Sequence, residues 1–125
     1  MNRPAIIKIA EEARGDDAEV RIILEFQDEE HEGISLGSPA LTARPRLIGE
    51  ATLRAVESVV GNTIGLKLEG VATQNLGPIQ VAMVHITLAG ETLVGTALLD
   101  SGDPASATVK AVLDALNRRI GNLAG

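Results

Sequence analysis

The side chains best suited to chemistry lie where the last predicted strand meets the last predicted helix. They comprise small residues near the strand end and polar residues in the loop that follows: Gly95, Thr96, Ala97, Asp100, Ser101 and Asp103. Backbone N–H groups at a helix start donate to a ligand carboxylate, and an aspartate accepts a hydrogen bond from an ammonium group. These residues therefore predict a site for a small amino-acid-like molecule.

The same loop has a purely structural interpretation. Asp103 is a favourable helix N-cap and Pro104 a favourable first helical residue, and such a cap stabilises a helix by about 1 kcal/mol. The two roles are compatible, and the sequence leaves both open. Upstream, Gly37 and Ser38 precede the other predicted helix, and we interpret them as the corresponding loop.

The sequence has no catalytic or metal-binding pattern. His31 and His85 lie on different predicted elements, and neither has a ligand partner one helical turn away. Ser101 with His85 and Asp100 would lack the Gly-x-Ser-x-Gly pattern of a nucleophile elbow. The acidic run 28–32 lacks the Asx and Gly alternation of a calcium loop and is predicted to be the exposed tip of a hairpin. We expect no enzymatic activity, no cofactor and no metal.

Composition excludes further classes of partner. The net charge is −6, and the chain has one Phe and no Trp or Tyr, so both the positive charge and the aromatic platforms for nucleic acid are missing. No apolar run reaches the ~20 residues that span a bilayer. Because cysteine is absent and the N-terminal apolar patch is too short for a signal peptide, we expect a cytoplasmic protein. Arg44 and Arg46 are expected to contact nearby carboxylates rather than a bound anion.

Apolar periodicity predicts five strands and two helices. The strands are predicted at 19–26, 33–38, 64–74, 79–89 and 92–99, and the helices at 47–60 and 105–120. On the first strand Val20, Ile22, Leu24 and Phe26 share one face, and on the fourth Ala82, Val84, Ile86 and Leu88 do so. The last helix has an apolar stripe of Val109, Val112, Leu113, Leu116 and Ile120.

The order of these elements indicates an internal repeat. Residues 51–60 and 107–116 share Ala, Thr, Ala and Val in register, and each helix follows predicted strands. The sequence therefore predicts an α+β fold of two strand–strand(–strand)–helix units, with a mainly antiparallel sheet and two helices packed on one face. We expect one domain at 19–125, with half-repeats 19–62 and 63–125. Residues 1–18 form an N-terminal extension in which a short strand at 4–10 is an option.

The sheet face opposite the helices is predicted to be partly apolar. On strand 79–89 it includes Val81, Met83 and His85. With helices on only one side, such a face needs a cover. We therefore expect a homodimer that forms through these residues.

In the order and spacing of its elements, the chain from about Glu19 to Ile120 resembles the C-terminal regulatory, or dimerisation, domain of 2-isopropylmalate synthase and the related citramalate and homocitrate synthases, and the closest stretch is 101–117. The matching positions are Asp103, Ala107, Lys110, Ala111, Ala115, Leu116 and Asn117. The chain departs from that domain at Pro104 and after Gly95, where Ala97 or Leu99 replaces a second glycine, and the catalytic barrel is missing. The resemblance implies a stand-alone regulatory module that pairs with itself or with a partner enzyme and binds a small effector. A purely structural interaction domain is the alternative.

Overall fold

The computed structural model describes residues 3–99 and 103–124 and contains two successive units of three strands and a helix. The first unit consists of β1 (Ala5–Arg14), β2 (Asp17–Phe26), β3 (Glu29–Gly37), a 3₁₀ turn (Leu41–Ala43) and α1 (Arg44–Val59). The second consists of β4 (Leu66–Leu76), β5 (Ile79–Leu88), β6 (Glu91–Leu98) and α2 (Pro104–Ala124). The predicted α+β class and its repeated units are confirmed.

The six strands are divided between two antiparallel sheets. The first sheet has the order β1-β2-β3 and the second the order β4-β5-β6. Two-residue turns connect the neighbouring strands. Gly15 and Gly77 have positive φ at the first position of their turns, and residues 27–28 and 89–90 have positive φ at both positions. Such conformations belong to the primed turns, whose twist matches that of the strands they join.

The second sheet repeats the first at an offset of 62 residues, the separation between Gly15 and Gly77. A register shift between Ile6 and Lys8 in β1 recurs between Leu68 and Gly70 in β4 at the same offset. The turns, the bulge and the pairing register of the first sheet therefore all recur in the second sheet at this one offset. This agreement supports a duplication more strongly than helix composition does.

The core lies between the sheets and the helices. The inner faces of the two central strands are buried as predicted: Val20, Ile22, Leu24 and Phe26 on β2, and Ala82, Val84, Ile86 and Leu88 on β5. The predicted stripe of α2 is buried as well: Val109, Val112, Leu113, Leu116 and Ile120. Alternating residues of each strand therefore face the helices, and the rest form two outer faces.

A glycine on each outer strand sets how closely its helix approaches. A Cβ added at Gly33 would collide with the carbonyl oxygen of Ala51 in α1, and one added at Gly95 would collide with that of Ala111 in α2. Ala51 thus corresponds to Ala111, an offset of 60 residues. The predicted alignment of Ala51 with Ala107 is wrong by one helical turn, because alanine recurs every fourth residue in α2 and composition cannot choose between turns.

Side chains of α1 tie the two units together at the start of β4. Arg46 Nη2 donates to the carbonyl oxygen of Leu68 at 2.8 Å, and Arg54 Nη2 donates to that of Leu66 at 2.9 Å. The N–H of Leu66 in turn donates to Glu57 Oε2 at 2.8 Å. Three backbone groups at the edge of the second sheet therefore have partners on the helix of the first unit.

Three boundaries differ from the predicted ones. Residues 5–14, within the expected N-terminal extension, form β1 and pair with β2. The hairpin turn takes only residues 27–28, so the prediction that the acidic run is a hairpin tip is wrong for 29–32, which lie in β3. A strand tolerates such charges because alternate side chains face outwards. α1 begins at Arg44, since Pro45 in its first turn needs no N–H partner.

Candidate functional site

A cavity of about 350 Å³ lies where the starts of the two helices meet β1 and β4. Its polar lining consists of Glu11, Arg44, Thr73, Asp103 and Thr108. Its apolar lining consists of Leu41, Pro45, Ile48, Pro104 and Ala105. This volume is at the lower end of the range for ligand pockets, which suits a small metabolite.

The duplication places this cavity at the junction of the two units. Glu11 and Thr73 occupy equivalent positions in β1 and β4, and Ile48 and Thr108 occupy equivalent positions in the two helices. Both units therefore contribute the same parts of their folds to its walls. The side chains at equivalent positions differ, so the cavity is symmetric in backbone and asymmetric in chemistry.

Charges of both signs line the cavity. Arg44 Nε lies 2.8 Å from Glu11 Oε1, and both side chains remain partly exposed. The N–H of Ala105 donates to Asp103 Oδ1 at 3.2 Å, which confirms Asp103 as the cap of α2. α1, in contrast, has no side-chain cap. A guanidinium, two carboxylates and the positive ends of two helix dipoles thus lie around one small space.

The predicted ligand residues do not form one site. Asp103 lines the cavity, whereas Thr96 and Ala97 line a separate groove of about 530 Å³ beside α2. Gly95 is buried against α2 and leaves no room for a ligand. The N–H of Thr96 is already occupied, because it donates to Asp114 Oδ2 at 2.9 Å.

Asp100 and Ser101, which were also predicted to bind a ligand, lie outside the described residues.

The loop interpreted as the counterpart of this site has a structural role. Gly37 faces the side chain of Leu47, and Ser38 Oγ accepts a hydrogen bond from the N–H of Ala40 at 3.2 Å. Gly33, rather than Gly37, is the structural equivalent of Gly95. Sequence comparison chose the wrong glycine because the alignment of the helices was wrong by one turn, which shifted the aligned strands by the same four residues.

Sequence reasoning missed Glu11 and Thr73 as lining residues of the cavity. The signal that would have found them is the 62-residue offset between the sheets, since it places both at the same point of equivalent strands. The expectation that Arg44 and Arg46 contact carboxylates is confirmed. Arg44 pairs with Glu11, and Arg46 Nε lies 3.2 Å from Glu50 Oε1.

The histidines lie apart from the cavity. His31 Nδ1 is 2.9 Å from Ser58 Oγ, where donor and acceptor depend on the tautomer, and His85 is exposed on the outer face of the second sheet. Across residues 3–99 and 103–124, no three His, Asp or Glu side chains group closely enough to hold a metal ion. None of the helices in that part of the chain is long and apolar enough to cross a membrane.

The predicted dimer residues lie on the outer face of the second sheet. Met83 and His85 are exposed there, and Val81 is partly exposed. Further apolar side chains extend the surface on all three strands. We call this surface the apolar sheet face; it comprises Ala72, Leu76, Ile79, Val81, Met83, Val94 and Leu98.

A comparison with protein-family models found no matching family, and a comparison with curated proteins found no matching relative.

Proposed function

We propose that the protein is a non-enzymatic regulatory module that binds a small amino-acid-like or keto-acid metabolite in the cavity between the helix starts. The observation that carries the proposal is the lining of that cavity. A guanidinium and two carboxylates lie beside apolar side chains in about 350 Å³. A zwitterion with an aliphatic side chain needs both kinds of surface.

In the proposed complex, different side chains bind different parts of the metabolite. Arg44, with the start of α1, binds the carboxylate of the metabolite, and Asp103 or Glu11 binds its ammonium group. Ile48 and the adjacent apolar residues contact the aliphatic part. A keto acid has no ammonium group, so it would use Arg44 without Asp103.

The resemblance of residues 101–117 to an amino-acid-responsive regulatory domain supports the same class of ligand. A partner enzyme would then supply the chemistry, and the proposed setting is the cytoplasm, since a chain without cysteine needs no oxidising compartment. The alternative function is a purely structural interaction domain without a ligand. It is favoured by the Arg44–Glu11 ion pair and the Asp103 cap, which already engage all three charged side chains of the cavity.

A thermal-shift screen separates the two functions. Branched-chain amino acids and their 2-oxo acids are titrated to millimolar concentration against the full chain. Ligand present at about 100 times its Kd raises the unfolding temperature by roughly 5–10 °C. A screen in which no compound raises the unfolding temperature would rule out the regulatory function and leave the structural one.

Two variants separate ligand binding from helix capping. Asp103→Asn keeps the cap, because Asn caps as well as Asp, but removes the charge that an ammonium group needs. We expect its unfolding temperature without ligand to change little and its response to amino acids to fall at least tenfold in affinity. Arg44→Gln should weaken binding of both ligand classes. Arg46→Gln is the matched control for ligand affinity, which it should leave unchanged, while loss of its hydrogen bond to Leu68 lowers the unfolding temperature without ligand.

A further inference from the structure

The apolar sheet face exposes large side chains on all three strands of the second sheet. Leu76 on β4 is 67% exposed, Val94 on β6 is 61% exposed, and Met83 lies at the centre of β5. Two shallow grooves of about 560 and 570 Å³ cross this surface. The outward-facing residues from Gly70 to Leu98 include no Asp, Glu, Lys or Arg.

The first sheet provides an internal reference for this face. Leu76, Ile79, Val81, Met83 and Val94 correspond to Arg14, Asp17, Glu19, Arg21 and Glu32 at the 62-residue offset. Five charged positions of one outer face are therefore apolar on the other. The same backbone meets water in the first sheet, so the fold itself does not require apolar residues there. Their presence indicates a surface that is covered.

The size of the face matches a small sheet-to-sheet interface. Three strands spaced ~4.8 Å apart and about ten residues long present a projected area of roughly 480 Å². Two such faces in contact would bury about 1,000 Å² in total, which is near the lower bound for a specific interface. The whole face is needed to reach that value, so the interface would be in the size range of weak or transient complexes.

Charge favours a second copy of this chain as the occupant. Each copy carries a net charge of −6, so carboxylates that face the partner would add to the repulsion between two copies. The residues of the apolar sheet face include no carboxylate, and Glu69 lies beyond them near the start of β4, where it accepts a hydrogen bond from Thr87. The outer face of the first sheet differs, because Glu12, Glu19, Glu25, Glu30 and Glu32 would meet the same residues of the partner.

We propose that two copies of the chain form a closed dimer by stacking their apolar sheet faces, with the two-fold axis close to Met83. Stacked sheets lie about 10 Å apart, and their strands cross at about 30°. A two-fold axis at the centre of β5 buries Met83 against its own copy and places Val94 and Leu98 of each protomer on the partner. Because the first sheet is charged outside, assembly stops at the dimer.

Sedimentation equilibrium over roughly 1–300 µM tests the proposal with a matched pair of variants. Leu98 and Leu36 are equivalent positions on the two sheets, 52% and 58% exposed. We expect the wild-type mass to rise from 13.0 kDa towards twice that value, and Leu98→Glu to weaken the dimer at least tenfold by burying two carboxylates. Leu36→Glu should change the dissociation constant less than about twofold.

The results that contradict the dimer are equally clear. A mass of 13.0 kDa at every concentration, with circular dichroism unchanged, overturns it and leaves a different protein as the occupant of the face. Equal weakening by Leu36→Glu and Leu98→Glu would also overturn it. A second test uses the absence of native cysteine: Met83→Cys should form an intermolecular disulfide under mild oxidation, and Leu36→Cys should not.

These readouts are independent of the metabolite screen. If the protein binds a metabolite and stays monomeric, the proposed function stands and the dimer is ruled out. If it dimerises and binds no metabolite, the dimer stands and the proposed function is ruled out.

Discussion

The two sheets share their inner faces and differ in their outer faces. Ile22, Leu24 and Phe26 on β2 are replaced by Val84, Ile86 and Leu88 on β5, so these positions of the two central strands stay apolar and buried. On the outer side, five charged positions of the first sheet are apolar in the second. The centre of each inner face packs against a helix and is apolar, whereas the composition of an outer face depends on what it contacts.

The first outer face shows what the fold looks like against water. Arg21 lies 3.5 Å from the largely buried Glu19 on its own strand and 3.2 Å from Glu32 on β3, so the second ion pair links β2 to β3. An exposed pair such as Arg21–Glu32 contributes little to stability, about 0–1 kcal/mol, but its charges keep the sheet solvated. The equivalent positions of the second sheet are apolar, and the proposed dimer, rather than the fold, would account for that difference.

The strongest test of the shared interior is substitution of the two helix-contacting glycines. Gly33→Ala and Gly95→Ala each place a Cβ inside the backbone of the adjacent helix, at Ala51 and Ala111. We expect each to lower the free energy of unfolding by about 3 kcal/mol or more, measured by urea denaturation. Gly70→Ala is the control, since its Cβ meets no atom within 4 Å. A large loss for one glycine only would break the equivalence of the units.

Much of this interior could be predicted from the sequence. Alternation identified the buried faces of β2 and β5, and helical periodicity identified the core stripe of α2, because both depend only on local spacing. The register of the duplication could not be predicted. The alanines that line one face of each helix recur every turn, and only contact with Gly33 and Gly95 selects the correct turn.

The cavity was only partly predictable. Asp103 was identified because an aspartate before a proline is a local signal of a helix start. Glu11 and Thr73 join it through the packing of β1 and β4 beside the helices, which no local pattern encodes. The absence of charged residues on the outer side of β5 could be predicted from the alternation, whereas the contributions of Leu76 and Leu98 required the strand pairing.

The second test concerns a contact between a helix and the other unit's first strand that is hydrogen-bonded in one case and not in the other. Glu57 on α1 accepts the N–H of Leu66, whereas its equivalent Asn117 on α2 has a buried Oδ1 with no partner among the described residues. Pro4, the equivalent of Leu66, has no N–H to offer. We expect Glu57→Ala to lower the free energy of unfolding by about 1 kcal/mol and Asn117→Leu to raise it by about 0.5 kcal/mol. An equal loss at both positions would mean that the two helix–strand contacts are alike.

The smallest expected effect comes from an ion pair that only the second unit has. Arg119 Nε donates to Glu91 Oε1 at 3.1 Å, and this hydrogen bond lowers the pKa of Glu91 from its ordinary value near 4.5. The unfolded chain therefore binds a proton more readily than the folded one. The stabilisation is fully present above the unfolded pKa and is lost as the pH falls through the lowered folded pKa.

Urea midpoints of wild type and Glu91→Gln at pH 7 and near pH 3 measure this contribution. The wild type should be slightly more stable at pH 7, and the difference should shrink at the lower pH. Glu29, the equivalent residue of the first unit, is in no ion pair within the described part of the chain, so Glu29→Gln should show no such trend. A stability difference that persists at low pH would indicate that Glu91 acts through packing rather than charge. The two units would then differ at the start of their third strands in side-chain packing and not in electrostatics.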